Sequence, residues 1–361
     1  MSGIREALGA IESLQLERRV RVLHVCGDQE RVIELSGLRR QLPDFIDVVS
    51  GPGCAASVCP EADVYQALQL VQRHPVTLLV GENLLRLPLN SAGDGPRSLA
   101  DAMSRGQDIQ AVATPIEAVM AAREKPWREM VYFVAGFETL LGPLAGMVLE
   151  GLPDNLSLLL CGRRAEPLVD QLLSANAADF DALLLPGNRC ALTGTDDWGR
   201  LSNAHGKPAA IAGYTVSNIL SALHAVLQRL AGGDVEILNF YRTLVRPEGN
   251  VMARDQIERV FEFYAGDWRG LGAVDGTGLR LRRPYDLLNA DSRFPDYRHE
   301  MDTQRGRMPD GCDCADVLRG RVKPSQCALF AKACTPATPI GPCMASEDGT
   351  CYLQRTLRPA A

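Results

Sequence analysis

The sequence has little that would take it into a membrane or onto a nucleic acid. No run approaches the roughly 18 consecutive apolar residues of a bilayer-spanning helix. The first segment, MSGIREALGAIESLQLERRVRVLHVCG, has Arg5, Glu6, Glu12 and Glu17 where a signal peptide needs an apolar stretch. Positive charge is in deficit, with 38 Lys and Arg against 44 Asp and Glu, so a nucleic-acid backbone is a poor main partner. The expectation is a cytoplasmic protein without a membrane span. Histidine is scarce: His24, His74, His205, His224 and His299 show no metal-ligand spacing and read as ordinary surface or core side chains. Aromatics make up only 6%, yet apolar residues reach 46% of 361. That suffices for cores in two or three domains and excludes a disordered or fibrous chain.

Cysteine is missing between Cys190 and Cys312 and crowded beyond. Of eleven, six fall between Cys312 and Cys351. An odd count in a cytoplasm-like chain does not read as a disulfide scaffold. Thiols concentrated in a reducing compartment point to a metal or to redox chemistry.

From residue 20 to 214, short apolar runs recur, most of them closed by glycine. They are Val20–Val25, Ile46–Val49, Val76–Val80, Ile109–Ala113, Val131–Ala135, Leu156–Leu160, Ala182–Leu185 and Ala209–Ala212. Near-continuous apolar runs of four to six residues are the pattern of strands buried on both faces. Segments with helical spacing lie between them: Ala62–Gln72, Leu99–Arg105, Ile116–Arg123 and Pro167–Ala175. Alternating strand and helix predicts an α/β fold with parallel sheets, either one large sheet or, preferred here, two domains divided near Gly136. The expected units are 1–135, 136–240 and a cysteine-rich 241–361. Residues 213–245 read as mainly helical, around Val216–Leu230. Beyond Arg246 the chain reads as turns and short strands, then as a segment with too little apolar periodicity to fold without a staple.

In open parallel sheets, ligands bind at the carboxyl ends of strands. Those ends carry Cys26-Gly27-Asp28-Gln29-Glu30, Gly51-Pro52-Gly53-Cys54, Gly136-Phe137-Glu138-Thr139 and Pro186-Gly187-Asn188. Thiols and carboxylates should converge on one edge. Cys26 reads as a thiolate ligand or nucleophile, or as a structural residue. Cys54 and Cys59, after a Gly-Pro-Gly turn, read equally as a redox pair or as unpaired thiols. Cys161 and Cys190 read as structural. In the C-terminal segment, Cys312, Cys327, Cys334 and Cys351 suit zinc or an iron–sulfur cluster, with Cys314 and Cys343 between them.

Several segments together resemble the HypD family, scaffold proteins that help assemble the iron–cyanide–carbonyl centre of [NiFe] hydrogenases. They are GPGC (51–54), GENLLRLP (81–88), VYFVAGFET (131–139), LLPG (184–187), RPEGN (246–250), DWRGLG (267–272) and GTGLRLR (276–282). The longest is VLRGRVKPSQCALFAKACTPATPIGPCMASEDGTC (317–351). The resemblance implies two Rossmann-like α/β domains facing a cleft, plus a C-terminal iron–sulfur domain. It implies a [4Fe-4S] cluster on Cys312, Cys327, Cys334 and Cys351. It further implies that Cys26 holds the nascent iron of the Fe(CN)2CO unit with a thiol from a small HypC-type chaperone. A HypE-type donor would deliver cyanide, Cys54 and Cys59 would pass electrons, and Glu138 of GFET would belong to the site.

The cleft departs from the family pattern. Asp28, Gln29 and Glu30 stand where the family offers Cys-Gly followed by histidine, and Cys54 to Cys59 stands for a Cys-Pro-x-Cys. Leu140 and Leu141 follow GFET, Asn188 replaces a histidine, and Gly213-Tyr214-Thr215-Val216 replaces Gly-Phe-Glu-Pro. Asp28 and Glu30 should make the surroundings of Cys26 more negative, with Arg31 offsetting part. Other functional expectations are an iron–sulfur disulfide oxidoreductase and a non-catalytic adaptor paralogue.

Overall fold

The computed structural model describes residues 2–14, 16, 18–90, 94–174, 179–298 and 308–357. All eight expected strands form: β1 Val20–His24, β2 Ile46–Ser50, β3 Thr77–Gly81, β4 Ile109–Val112, β5 Met130–Val134, β6 Leu156–Leu160, β7 Ala182–Pro186 and β8 Ala209–Ala212. A ninth, β9 at Ile237–Asn239, lies in the stretch expected to be helical. It is a half-buried sheet edge, so it carries no continuous apolar run. An antiparallel hairpin follows, β10 Phe261–Trp268 and β11 Gly272–Leu281, longer than the short strands expected there.

The strands form two parallel sheets, ordered β2-β1-β7-β8-β9 and β4-β3-β5-β6. They do not divide at residue 136. β1 and β2 join strands from the far half of the chain, with Val22 opposite Ala182, while β5 sits inside the second sheet beside β3. Local periodicity shows that a strand exists but carries no label for its neighbour, so the sheets cross the split expected near Gly136.

Alternation along each strand feeds two cores, one per face. On the first sheet Val20 and Val22 join Ile219 and Leu223 of the helix Val216–Gly232, whereas Leu23 joins Trp198 and Leu201. On the second, Leu78 and Phe133 face one way and Leu79 and Tyr132 the other. Helices between the strands cover these faces, including Glu61–Arg73, Pro115–Glu124 and Glu138–Glu150. Among the described residues, no helix is long and apolar enough to cross a membrane.

The C-terminal segment is made of short helices, among them Cys314–Leu318, Pro342–Ala345 and Thr350–Leu357. Cys314, Cys334, Cys343 and Cys351 are buried there with Trp268, Val317 and Met344, against Val58, Phe137 and Leu168. The segment therefore does own an apolar core, to which its thiols contribute. Ala331 is the only non-glycine among the described residues with positive φ, at 58°. Its N–H binds the Cys334 carbonyl, closing the turn between Cys327 and Cys334.

Candidate functional site

The carboxyl ends of both sheets open onto one cavity of about 440 Å³. Cys26, Asp28 and Cys54 line it from the first two strand ends, Phe137 and Thr139 from the end of β5, and Asn188, Arg189 and Tyr214 from the ends of β7 and β8. Asp348 closes it from the C-terminal segment. The expected convergence of thiols on one edge is thus what the fold produces.

Cys26 directly precedes the helix Gly27–Leu35, its backbone extended at φ −149°. Its carbonyl accepts the Glu30 N–H at 3.1 Å, and the Tyr214 hydroxyl lies beside its thiol. Burial pushes that thiol's pKa up; the Gln29 N–H opposes this, Asp28 adds to it, and Arg189 opposes it. Glu30, expected to add negative charge here, is buried away from the cavity. Its carboxylate takes His24 Nε2 at 2.9 Å, Arg39 Nη2 at 2.5 Å and the Thr350 hydroxyl at 2.6 Å. Burial alone would raise the Glu30 pKa, but Arg39 and His24 outweigh it and hold it at about 2. Gln29 also leaves the cleft, donating to the Leu185 and Ala212 carbonyls at 3.2 and 3.0 Å and tying β7 to β8. Of the acidic substitutions, Asp28 alone lines the cavity.

Glu138 lies beneath the cavity lining. Its Oε1 accepts the Ala165 N–H at 2.8 Å and its Oε2 faces Arg189 Nε at 3.3 Å. Arg189 lies over the Phe137 ring at 4.5 Å and lines the cavity. Sequence reasoning missed this cation. Its only signal is its place two residues beyond a Pro-Gly strand end.

Cys54 and Cys59 sit at opposite ends of the short helix Ala55–Val58, and their thiols meet different partners. Cys54 Sγ is 3.1 Å from Ser346 Oγ, and burial drives its pKa up to about 11. Cys59 Sγ is 3.4 Å from Cys161 Sγ. Ser57, one turn beyond Cys54, has its hydroxyl near both Cys54 and Cys343, without a well-aligned bond to either. Cleft and C-terminal thiols are therefore separated by one serine.

Around Cys343 the other thiols gather. Cys314 and Cys351 lie against it and lower its pKa well below the usual thiol range. Burial pushes Cys312 up to about 12, with Cys327, Cys334 and Cys343 adding to the rise. Among the described residues, no three His, Cys, Asp or Glu side chains converge as the ligands of a single metal ion do. Arg269, 2% exposed, stands nearby, its charge felt at Cys59, Cys314 and Cys312. Its Nη2 reaches the Pro88 carbonyl at 2.7 Å and Glu61 at 3.3 Å, while Nε and Nη1 have no partner. An all-sulfur donor set beside a buried cation with spare N–H groups fits an anionic iron–sulfur cluster.

Of the histidines, His24 pairs with Glu30, His205 with Asp170 at 2.7 Å, and His74 lies against Phe294 with the rings tilted. His299 lies outside the described residues.

Two parallel sheets that share one cavity, lined by Cys26 and Cys54 from the first sheet and backed by a buried group of thiols, define an α/β protein with a thiol-lined cleft. Residues 3–356 match the family described as "Hydrogenase formation hypA family", HypD. The chain belongs to the HypD family. It is 32% identical over 359 residues to hydrogenase maturation factor HypD2 of Bradyrhizobium diazoefficiens, covering 96% of this chain and 92% of that protein. It is similar also to HypD of Cupriavidus necator, at 30% over 346 residues (92% and 88% covered), and of Escherichia coli, at 29% over 345 (94% and 89%).

Proposed function

We propose that this chain is a hydrogenase maturation scaffold whose cleft holds iron as cargo while the Fe(CN)2CO unit is assembled. The observation that carries this reading is the meeting of Cys26 and Cys54 on one cavity with Arg189. A thiolate is a suitable ligand for soft, low-spin iron. Cyanide ligands bring negative charge, which a guanidinium can receive by charge-assisted hydrogen bonds. Glu138 positions that guanidinium from behind, and the Tyr214 hydroxyl stands ready to donate to the Cys26 sulfur once it is ionised. A HypC-type chaperone would supply a further thiol to the iron, and a HypE-type partner the cyanide.

In this reading Cys312, Cys327, Cys334 and Cys351 hold a [4Fe-4S] cluster, with Arg269 as its buried counter-charge. When bound, such a cluster supplies single electrons. Cys54 touches that segment through Ser346, and Ser57 lies between it and Cys343.

The test is infrared spectroscopy of the protein produced together with hydrogenase accessory proteins. Bands from iron-bound cyanide and carbon monoxide are expected in the native chain and absent in Cys26→Ala. Their absence from the native chain, or persistence in Cys26→Ala, would overturn the reading.

A further inference from the structure

We propose that Cys59 and Cys161 form a dithiol–disulfide pair, a redox site distinct from the cavity thiols and from the C-terminal cluster. The inference rests on the placement of these two sulfurs and stands whether or not the cleft carries iron.

The two residues are far apart in sequence and come from different sheets. Cys59 follows the helix Ala55–Val58 beyond β2. Cys161 follows β6, its N–H bound to the Val134 carbonyl at 2.8 Å. Their Sγ atoms are 3.4 Å apart, and the residues are only 2% and 3% exposed. A disulfide bond is ~2 Å long, so sulfurs already in contact need only a small approach. Cys54, the neighbour in sequence that could also have paired with Cys59, faces Ser346 instead.

The Cys59 thiol, burial and Asp63 all raise the Cys161 pKa, and Asp63 is the base to which its proton can pass. The Cys161 thiol donates to Asp63 Oδ2 at 2.9 Å, and Arg163 Nη2 stands 3.4 Å from the same oxygen. The Asp63 side chain is 32% exposed, so it joins the buried pair to solvent. The oxidant class is a small disulfide such as that of glutathione. Cys161 passes its proton to Asp63, and the thiolate attacks one reagent sulfur. That breaks the reagent disulfide, forms a mixed disulfide and releases one thiol, which takes up the proton. Cys59 then attacks the Cys161 sulfur and expels the second reagent thiol, which carries away the Cys59 proton. Two protein thiols lose two electrons, and one disulfide becomes two thiols. The new bond fastens the loop after β2 to the end of β6, joining the sheets that wall the cavity.

The experiment uses full-length protein, purified without oxygen and equilibrated in mixtures of reduced and oxidised glutathione. Free thiols are then alkylated, and digested peptides are read by mass spectrometry. The expected result is a Cys59–Cys161 cross-linked peptide that grows with the oxidised fraction, persists in Cys54→Ala and is lost in Cys161→Ser. A dominant Cys54–Cys59 peptide would overturn the inference. So would glutathione left on Cys161 without a cross-link, or both thiols still alkylated in the most oxidising mixture. The native chain and Cys54→Ala decide the outcome even where Cys161→Ser fails to fold.

Discussion

Gly53 and Cys26 press together along their backbones: a β-carbon on Gly53 would lie 2.1 Å from the Cys26 nitrogen. Only a residue without a side chain lets the second strand end approach the first this closely. Gly53→Ala should therefore displace Cys26 and cost about 1–3 kcal/mol, as overpacking in a tight interior does. Denaturant titration reads the loss, and a stability equal to that of the native chain would refute it.

The charges flanking Cys26 act in opposite senses. Asp28 raises its pKa and Arg189 lowers it. Asp28→Asn should shift the pH profile of Cys26 alkylation downward, and Arg189→Gln upward. Rates of iodoacetamide labelling at Cys26, followed by peptide mass spectrometry, test both signs. Shifts in the same direction would show that these charges do not govern the thiol.

Glu138 is the buried partner of Arg189. Glu138→Ala leaves that guanidinium buried without its counter-charge, which typically costs about 3–5 kcal/mol. A melting temperature unchanged in Glu138→Ala would remove Glu138 from its positioning role.

Glu30 links stability to acid. Its folded pKa, about 2, lies below the ordinary 4.5. A carboxyl with a lowered folded pKa stabilises the fold above its unfolded value and loses that contribution as pH falls through the folded value. The contribution at neutral pH is on the order of 3 kcal/mol. Stability should fall between pH 4.5 and about 2, and less steeply in Glu30→Gln. Parallel acid profiles for the two proteins would rule this out.

The cluster assignment predicts roughly four irons per chain after anaerobic reconstitution. Cys334→Ala should lose them and Cys314→Ala should keep them. Iron retained in Cys334→Ala, or stoichiometric zinc in place of iron, would count against the assignment.

The strands were legible because each is a short, mostly apolar run between Val20 and Ala212, broken only by single polar residues such as Arg21, Asp47 and Gln110. Their pairing was not, since nothing in the Val20 or Ala182 segments marks them as neighbours. Thiols at strand ends pointed correctly to the cavity. Side chains that leave a strand end are harder to read: Glu30 and Gln29 fold inward because His24, Arg39 and two carbonyls await them. Cys161 looked like a lone structural thiol, since its partner lies in another sheet. Arg189 was missed because its counter-charge, Glu138, is equally remote in sequence.

The strand order also dictates a schedule for synthesis. β3 to β6 are consecutive, so their sheet can close as soon as Leu160 has left the ribosome. β1 and β2 must wait for β7, and a two-stranded pair alone is marginal in water. During that interval the apolar faces of Val22 and Val48 have no cover from later strands. The N-terminal part of the chain is thus the part most exposed to aggregation while the protein is being made.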